Sequence, residues 1–409
     1  MQRLIFVNRF FHPDHSATSQ ILSDLAFHLA QAGCDVQIIA SRQIYDDPAR
    51  ILPRFEHVLG VQVHRVWATR FGRRRLLTRA IDYLTFYLSA TAKLATLVDS
   101  NHTVIAETDP PLLSVPSALV VRLKRARLVN WTQDLFPEIA ETLQVPGIGL
   151  VAPVLRRLRN LSLRLARTNV VLGDSMASRL RAEGIAPDKI DVIHNWSPVE
   201  MEPLFGQRNA NPLREEWNLG QKFIVGYSGN FGRAHDFDTV LDAAAALRDA
   251  GDIHFLFIGA GAQQARVESR AAALGLTNIT FRPYQPLDRL ALSLSVADVH
   301  LVSLKPELEG LLVPSKFYSV LAAGRPVLFV GDTDGEIARR IHDADCGRAF
   351  AVGASTELAT ALRELAGSPA KVSGMGERAL ALWATHFQRK QALGSWQALL
   401  TKLSRDGKG

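Results

Sequence analysis

The sequence predicts an α/β fold made of two consecutive Rossmann-like domains. Short apolar segments typical of buried strands alternate with helical patterns along most of the chain, as in a doubly wound parallel sheet. The length of 409 residues suits two domains of ordinary size. A turn-rich segment separates the two series of elements. We therefore predict an N-terminal domain over residues 1–198, a linker over 199–220 and a C-terminal domain over 221–378.

Both domains are predicted to contain short buried strands. In the first domain the strands are expected at residues 4–7, 36–40, 61–66, 104–106, 128–131, 170–172 and 190–193. In the second domain they are expected at residues 223–227, 254–258, 279–281, 299–302, 327–330 and 349–352. A helix over about 19–32 follows the first strand, and a last helical pattern covers residues 379–403.

Three loops of the second domain follow predicted strands or precede a predicted helix, and they indicate a ligand site. Residues 228–233, 259–261 and 314–316 are expected on the rim of the sheet formed by the carboxyl ends of the strands, where doubly wound folds bind ligands. The Gly-x-Gly at 259–261 lacks the third glycine of the dinucleotide fingerprint, so it favours NAD only weakly. The alternative is that these glycines only form tight turns.

Lys316 is the most informative residue of this rim. A helix is predicted over 314–323, with Pro314 at its first position. A lysine in the first turn is unfavourable beside the positive end of the helix dipole, unless an anion binds there as well. We therefore predict a phosphate site at Lys316. The alternative is a solvated surface lysine.

The net charge of +7 belongs entirely to the first domain. Residues 1–198 hold 24 Lys and Arg against 17 Asp and Glu, and the remainder of the chain is neutral. The basic residues form three groups: Arg65, Arg70, Arg73, Arg74, Arg75 and Arg79; Arg122, Lys124, Arg125 and Arg127; and Arg156, Arg157, Arg159, Arg164 and Arg167.

The first and third groups predict contact with an anionic membrane. The third group alternates with apolar residues at helical spacing, and Tyr83, Phe86 and Tyr87 lie beside the first. Basic amphipathic helices with aromatic residues suit such a surface, where each basic residue contributes about 1 kcal/mol. The predicted membrane-facing residues are Arg73, Arg74, Arg75, Arg156 and Arg157. The alternative is a pair of core-facing helices with solvated arginines.

Other partners and compartments are disfavoured by the sequence. No helix-turn-helix, zinc or RNA-binding signature accompanies the charge, so nucleic acid is not expected. No segment matches a secretory signal or a membrane span. Cys34 and Cys346 have no metal-ligand spacing, and His12 and His15 have no third ligand nearby, so no metal site is predicted. We expect a cytoplasmic protein on the inner face of the plasma membrane.

A set of motifs in both domains resembles one known family. The motifs are Tyr227-Ser-Gly-Asn230 with Gly232-Arg233, His194-Asn-Trp-Ser197, Val313-Pro-Ser-Lys316 with Ala323-Gly-Arg-Pro326, Phe11-His-Pro-Asp14 and Asp134-Leu-Phe-Pro-Glu138. They resemble the family-4 retaining glycosyltransferases of the GT-B fold. The similarity is greatest to the bacterial branch that builds colanic acid and O-antigen, which includes an N-acetylfucosamine transferase. The resemblance covers residues 4–352.

The resemblance implies two Rossmann-like domains that face each other across a cleft. It implies transfer of a sugar from a nucleotide diphosphate sugar, UDP-linked and N-acetylated or deoxy, to a polyprenyl-diphosphate-linked or other lipid acceptor. The configuration at the anomeric carbon would be retained, and neither a cofactor nor a metal would be required. The donor would bind the C-terminal domain and the acceptor the N-terminal domain, and residues 379–409 would return to the N-terminal domain.

Fixed cations suit the departure of a nucleoside diphosphate, which leaves with negative charge. We predict this role for Lys316 and Arg233, together with the backbone around Gly229. The predicted donor-binding residues are Ser16, Gly229, Asn230, Gly259, Gly261, Glu309, Pro314, Ser315, Lys316 and Ser319.

The chain departs from the family pattern at several places, one of which is the lysine usually found after the Gly-Asn loop, replaced here near Ala234-His235-Asp236. Two glutamates of typical members are replaced by Leu311 and Ser319, so ribose recognition must be built differently. Glu309 could substitute for the first, or it could be a loop-surface acid. The usual histidine before the aspartate of the N-terminal motif is Gln133, which can hydrogen-bond a sugar hydroxyl but cannot shuttle a proton.

Four carboxylates follow predicted strands of the N-terminal domain: Glu107, Asp109, Asp134 and Glu138. Such groups could orient the acceptor hydroxyl or accept its proton. We predict catalytic roles for Asp134 and Glu138. Glu107, Asp109 and Gln133 are predicted to bind the acceptor. The alternatives are that Asp109 caps a turn and that Glu138 caps a helix.

Three other functions remain open at this point. A UDP-N-acetylglucosamine 2-epimerase would share the phosphate site but would not need a basic surface. A non-catalytic nucleotide-sugar-binding partner would explain the missing glutamates and histidine. A nicotinamide dehydrogenase fits the incomplete glycine motif least well.

Overall fold

The computed structural model describes residues 2–405 except 46, 48, 73–75 and 198–210. The chain divides into two compact units. Unit 1 comprises Met1–His194, Leu311–Val313 and Lys390–Gly409, and unit 2 comprises Asn195–Gly310 and Pro314–Arg389.

Unit 1 is built on an eight-stranded sheet. Its strands are β1 Arg3–Val7, β2 Asp35–Ser41, β3 Phe55–Val58, β4 Val61–Val66, β5 His102–Ala106, β6 Arg127–Thr132, β7 Thr168–Val171 and β8 Ile190–Val192. The order is β3-β4-β2-β1-β5-β6-β7-β8. Only β3 is antiparallel, in a hairpin with β4. The order in which successive strands are added reverses between β1 and β5, and doubly wound sheets bind ligands at such a switch point.

The helices of the first half of the chain are α1 Ala17–Gln31, α2 Leu76–Leu97, α3 Ser114–Lys124, α4 Glu138–Thr142, α5 Ile148–Leu165 and α6 Asp174–Ala182. Helices α2 and α3 cover one face of the sheet. Phe86 and Leu94 of α2 and Ala118 of α3 are buried against strand residues such as Ile5 and Val104. Helix α3 packs against both α2 and α5.

Unit 2 is built on a six-stranded parallel sheet. Its strands are β9 Phe223–Ser228, β10 Ile253–Ile258, β11 Ile279–Arg282, β12 Val299–Ser303, β13 Val327–Val330 and β14 Gly347–Phe350. The order is β11-β10-β9-β12-β13-β14. In order along the chain this is 3-2-1-4-5-6, the arrangement of dinucleotide-binding folds, with the switch point between β9 and β12.

The later helices are α7 Pro212–Glu216, α8 Asp238–Ala246, α9 Gln264–Ala273, α10 Leu290–Ser295, α11 Lys316–Ala322, α12 Glu336–Ala344, α13 Ser355–Ala366, α14 Pro369–His386 and α15 Arg389–Arg405. The core of unit 2 contains an aromatic cluster in which Phe231 and Phe237 stack at 5.2 Å between ring centroids. Helix α15 belongs to unit 1 from Lys390 onwards, and its Trp396 is buried against Trp131.

The predicted strands all exist, and several boundaries differ. The sequence analysis missed β3, whose Phe55 is 48% exposed. The boundary between the units falls at His194 rather than at residue 198. The predicted linker lies largely outside the described residues, and α7 occupies part of the rest. The last helical pattern is two helices, of which α14 stays in unit 2, so the segment that returns to unit 1 begins at Lys390 rather than at 379.

Candidate active site

Two glycine loops pack on each other beside the switch point of unit 2. The loop after β9 and the loop after β10 are joined by hydrogen bonds from Gly229 N to Ile258 O (2.9 Å) and from Phe231 N to Ala260 O (2.8 Å). A Cβ atom on Gly259 would lie 2.0 Å from Gly229 O, and one on Gly261 would lie 2.3 Å from Asn230 Oδ1. The glycines are therefore required for the close approach of the two loops.

Lys316, the first residue of α11, lies over this pair of loops. Its Nζ donates to the Tyr227 hydroxyl (2.9 Å) and lies 3.0 Å from His235 Nε2. The same ammonium sits 4.6 Å from the centre of the Tyr227 ring, which adds a cation–π contact. Its Cε lies 3.0 Å from the position that a Cβ on Gly229 would take. Lys316 is thus held against the loop by a tyrosine, a histidine and a glycine.

The hydrogen-bond directions around Lys316 can be assigned. His235 Nδ1 lies 2.5 Å from Ser303 O, and a carbonyl oxygen only accepts, so Nδ1 carries the proton. Nε2 then accepts from Lys316. The Tyr227 hydroxyl donates to Asn230 O (2.7 Å) and so accepts from Lys316 as well. Among the described residues these contacts use two of the three ammonium hydrogens, which leaves one for a ligand.

Burial changes the protonation of this cluster. The Lys316 side chain is still partly reachable by solvent, but protein atoms surround it closely enough to remove much of its hydration. This burial lowers the pKa of Lys316 to about 7. Burial and the neighbouring Lys316 charge lower the pKa of His235 to about 3, so that the imidazole stays neutral. An anion at this place would restore the favourable environment that the ammonium lost.

The helix that carries Lys316 differs from the predicted one. Helix α11 has seven residues and begins at Lys316, with Ser315 as its N-cap residue. Pro314 therefore precedes the cap and is not the first helical residue. So short a helix has only a weak dipole at its N-terminus. The prediction of an anion site therefore rests on the Lys316 side chain and not on the helix dipole.

The other predicted donor-binding residues are spread over both units. Arg233 is exposed on the loop after β9, and it makes no hydrogen bond with Lys316. Glu309 Oε1 accepts the backbone N–H of Glu336 (2.9 Å) at the start of α12, which is a structural contact. Ser319 is half-buried on α11. Ser16 lies in unit 1, where it caps α1 and donates to Asp14. Donor contacts of these residues stay predictions.

In unit 1, three carboxylates lie near one another after β5 and β6. Burial, followed by the charges of Asp109 and Asp134, raises the pKa of Glu107 well above its usual range. The Asp134 side chain is reachable by solvent, but crowding by protein atoms, followed by the charge of Asp109, raises its pKa to about 6. Gln133 Nε2 donates to Glu107 Oε1 (3.5 Å). Asp134 is therefore able to accept a proton near neutral pH.

Glu138, for which a catalytic role is predicted, makes ion pairs that give it a structural role. Arg159 Nη1 and Nη2 donate to its two carboxylate oxygens at 2.9 and 2.8 Å, and Arg156 Nε donates at 2.9 Å. Burial raises the pKa of Glu138, but the charge of Arg159 and these hydrogen bonds outweigh it, so the pKa lies below its usual range. Glu138 thus holds α5 against α4, and its ion pairs keep the carboxylate ionised, which makes it a weak proton acceptor.

The predicted membrane-facing arginines divide into three cases. Arg73, Arg74 and Arg75 lie outside the described residues. Arg156 is half-buried and pairs with Glu138 and Glu141, so its contact with a membrane stays a prediction that these ion pairs do not favour. Arg157 is exposed.

The outward faces of α2, α3 and α5 are apolar. The exposed leucines are Leu77, Leu84 and Leu88 on α2, Leu119 and Leu123 on α3, and Leu150, Leu158, Leu161 and Leu165 on α5. Leu150 is 90% exposed and Leu77 is 81% exposed. The apolar stripe of α5 therefore faces outward, so the alternative of a core-facing α5 with solvated arginines does not hold. Among the described residues, no helix is long and apolar enough to span a bilayer.

Unit 1 also contains a cavity of about 410 Å³ near the carboxyl ends of β5 and β6. It is bounded by α2, the start of α3, α4 and α5, and Asp134 forms part of its wall. No group of His, Cys, Asp and Glu able to hold a metal ion occurs in the described ranges.

Sequence reasoning did not assign roles to several residues of these sites. His235 and the Tyr227 hydroxyl orient Lys316. The signals for Tyr227 were its place in the motif Tyr227-Ser-Gly-Asn230 and its hydroxyl in an otherwise apolar strand. Arg9 follows β1, is buried, and donates through its backbone N–H to Asp109 O (2.6 Å). Its position directly after the first strand was the available signal. Arg159 was counted as part of a basic surface, and nothing in the sequence marked it as buried.

Comparison with known families covers most of the chain. The description "Glycosyl transferase 4-like domain" matches residues 17–196, and "Glycosyl transferases group 1" matches residues 222–368. The chain belongs to the family-4 glycosyltransferases of the GT-B fold. The GT-B fold and the family that the motifs resembled are thereby confirmed.

Two kinds of relative illustrate the similarity. WcaI of Escherichia coli (strain K12), named as a colanic acid biosynthesis glycosyl transferase, is 29% identical over 235 residues. That alignment covers 56% of this chain and 58% of WcaI, so it spans little more than half of either. Sucrose-phosphate synthase from Thermosynechococcus elongatus superposes with a TM-score of 0.79 at 16% identity, over 98% of this chain and 99% of that one. Anabaena HepE in complex with UDP superposes with a TM-score of 0.71 at 14% identity, over 98% and 100%.

Proposed function

We propose that this protein is a retaining glycosyltransferase of bacterial surface polysaccharide or glycolipid biosynthesis. It transfers a sugar from a nucleotide diphosphate sugar to a lipid-linked acceptor. The observation that carries the proposal is the Lys316 cluster at the switch point of unit 2. A partly dehydrated ammonium, held by Tyr227 and neutral His235, is suited to an anion and has one hydrogen to donate.

The chemistry needs the bond between the anomeric carbon and the diphosphate oxygen to break. The electron pair goes to the diphosphate, whose growing charge Lys316 stabilises, and the acceptor oxygen forms the new bond on the same face. The proton of the acceptor hydroxyl passes to the departing phosphate or to Asp134, whose raised pKa suits that role. Fixed cations perform the stabilisation in this proposal, so activity should persist with a metal chelator present.

UDP is the proposed nucleotide, carrying an N-acetylated or deoxy sugar. The support is that HepE, which shares the fold, is described in complex with UDP. WcaI is named for colanic acid biosynthesis, which supports a surface-polysaccharide pathway.

The acceptor is proposed to be attached to a lipid at the inner face of the plasma membrane. The support is the charge of the first half of the chain together with the exposed leucines of α2, α3 and α5. Apolar side chains flanked by exposed cations such as Arg157 suit the interface of an anionic bilayer. An exposed apolar surface of this kind is unusual on a protein without a partner.

Nucleotide binding tests the proposal. Titration calorimetry with UDP, GDP, ADP and NAD should be carried out on the wild type, on Lys316→Ala and on Lys222→Ala. Lys222 is an exposed lysine at the opposite end of β9 and serves as the matched control. We expect UDP binding that Lys316→Ala abolishes and Lys222→Ala keeps, with transfer reduced by roughly 100-fold or more in Lys316→Ala. Binding of NAD instead of UDP would refute the family function.

Two alternatives keep the same nucleotide site. A UDP-N-acetylglucosamine 2-epimerase would convert its substrate without any acceptor, so product formed from donor alone would favour it. A non-catalytic partner would bind UDP but never turn over a donor with any lipid acceptor. The anomeric configuration of the product, measured by NMR, tests retention separately.

A further inference from the structure

The cavity of unit 1 has apolar walls and lies where an acceptor is expected. Helices α4 and α5 contribute Ile139, Leu143, Ile148 and Leu163 to its lining. Its volume of about 410 Å³ falls within the range of small-molecule sites, about 300–1,000 Å³. Cavities of this size that are lined by apolar side chains favour apolar ligands over water.

Most polar groups of the cavity wall are already satisfied by the protein. The Tyr87 hydroxyl donates to Pro111 O, and Arg159 is bound to Glu138. Asn130 Nδ2 donates to Asn169 Oδ1 (2.8 Å). These bonds turn the polar atoms away from a ligand, so the wall presents mainly hydrocarbon.

Two residues of the lining, in β6 or after it, present polar atoms without a hydrogen-bond partner among the described residues. Asn130 Oδ1 is buried and has no hydrogen-bond donor among the described residues. The Asp134 carboxylate also lines the cavity and, within the described part of the chain, makes no side-chain hydrogen bond or ion pair. The site therefore combines apolar walls with a polar end. A ligand with a hydrocarbon chain and a hydroxyl group that donates to these oxygen atoms fits this combination.

Arg79 gives the rim of the cavity a positive charge. It lies on α2, is exposed, and its Nε donates to the Tyr83 hydroxyl (2.7 Å). Tyr83 also lines the cavity, and the guanidinium lies 5.2 Å from the centre of its ring. An Arg held in this way by an aromatic side chain is suited to a phosphate group.

We propose that this cavity binds the first part of the hydrocarbon chain of a lipid-phosphate acceptor, with the phosphate beside Arg79. The inference rests on the proposed function for the identity of the reaction, and it adds a binding site for the lipid itself. Helices α2 and α5 line the cavity and also carry the exposed leucines Leu84 and Leu158. The same two helices therefore contact the bilayer and receive the chain.

The volume of the cavity predicts a limit on the length of the hydrocarbon chain that it can hold. At about 30 Å³ for each water-sized group, it holds roughly a dozen carbon atoms, which corresponds to two or three isoprene units. Affinity should therefore rise with chain length up to that limit and then stop rising. Adsorption to a flat apolar surface would show no such limit.

A series of prenyl phosphates, titrated into the protein with all its residues present, tests this limit. Dimethylallyl, geranyl, farnesyl and geranylgeranyl phosphate are titrated by calorimetry below their micelle concentrations. We expect affinity to rise at least tenfold from dimethylallyl to geranyl phosphate, because buried CH₂ groups dominate binding. It should rise again to farnesyl phosphate and change less than about threefold beyond it. Inorganic phosphate that binds as tightly as farnesyl phosphate would overturn the proposal.

Two substitutions on α2 distinguish binding in the cavity from binding on the outer surface of the helix. Ala80 lines the cavity on the exposed side of α2, so Ala80→Trp fills it without disturbing the core. Ala92 is exposed on α2 and does not line the cavity, so Ala92→Trp is the matched control. Ala80→Trp should weaken farnesyl phosphate binding at least tenfold, and Ala92→Trp less than twofold. Equal losses in both variants, or no loss in Ala80→Trp, would refute the cavity as the site.

Dodecyl phosphate distinguishes an acyl chain from an isoprenoid chain. Tighter binding of farnesyl phosphate would identify a polyprenyl acceptor, and tighter binding of dodecyl phosphate would identify an acyl lipid. UDP titration of the same variants keeps the two proposals apart. UDP binding without any prenyl phosphate binding would refute only the cavity, whereas prenyl phosphate binding without UDP binding would refute only the donor site.

Discussion

The lowered pKa of Lys316 gives nucleotide binding a measurable pH signature. Burial lowers that pKa to about 7 in the protein without ligand. A diphosphate beside the ammonium raises it towards the ordinary lysine value of about 10.4. At pH 8 roughly nine in ten molecules of the unbound protein hold the neutral amine. Binding of one UDP should therefore be accompanied by the uptake of about 0.9 proton.

The sign of the pH dependence follows from this difference. The complex holds more protons than the unbound protein between the two pKa values, so UDP affinity is highest below about pH 7 and falls as the pH rises. Between pH 7 and pH 9 the protonated fraction of Lys316 falls about 50-fold, and the affinity should fall by a similar factor. The terminal phosphate of UDP, with a pKa of about 6, is already ionised in most of this range.

Calorimetry in buffers of different ionisation enthalpy measures the proton uptake directly. Lys316→Arg is the control, because a guanidinium stays charged throughout this range and should take up no proton. The control Lys222→Ala should behave as the wild type. If the wild type binds UDP at pH 8 without proton uptake, or if Lys316→Arg shows the same uptake, then Lys316 is not the group beside the diphosphate.

Three further predictions concern stability and membrane contact. Lys316→Met should raise the free energy of unfolding of the unliganded protein by about 1–2 kcal/mol in urea, because an apolar group replaces a partly dehydrated ammonium. UDP binding should be lost in the same variant. Glu138→Gln should destabilise the protein by about 2–4 kcal/mol, because buried Arg159 loses its charged partner, and transfer per folded molecule should change less than about threefold. Leu150→Glu should weaken binding to vesicles that contain anionic lipid at least tenfold in sedimentation, because a membrane-facing leucine becomes an anion; Val352→Glu on unit 2 should have no effect.

The Glu138 prediction has a pH dependence and a matched control. Because its folded pKa lies below the unfolded value of about 4.3, the stabilisation is present above that pH and is lost as the pH falls through the folded pKa. Glu141 contacts only Arg156 among the ion pairs of the described residues and is more exposed. Glu141→Gln should therefore cost less than about 1 kcal/mol. A large loss of transfer in folded Glu138→Gln would restore its catalytic role.

Thirteen strands could be predicted from sequence, and one edge strand could not. Most of the thirteen are buried and appear as short apolar runs. Strand β3 pairs with one neighbour only and mixes Phe55 and Val58 with Glu56 and His57. Its stability comes from the hairpin with β4, a tertiary contact that no periodicity reveals.

The candidate site was predictable where the chain geometry fixes it. Lys316 and the two glycine loops follow from the rule that ligands bind at the carboxyl ends of parallel strands. The ion pair of Glu138 could not be predicted, because its partner Arg159 lies 21 residues away on another helix. Periodicity shows which residues share a face of α5, but it does not show which face is buried. Only the packing of α5 reveals that Leu158 and Leu161 point outward while Arg159 points inward.

The unequal net charges of the two halves of the chain suggest that the halves bind different partners, which can be tested. In the proposed donor site one dehydrated lysine holds the anion, and this lysine lies in the half of the chain whose net charge is zero. The proposed site does not use the excess of +7 in the other half, of which exposed Arg157 is one member. Arg157→Ala should reduce the salt sensitivity of vesicle binding, because each basic residue near the surface adds about 1 kcal/mol that salt screens. The same variant should leave UDP affinity within about twofold, because Lys316 supplies the cation of the proposed donor site. Loss of UDP affinity together with vesicle binding would show that the basic surface serves the donor, contrary to the proposed division.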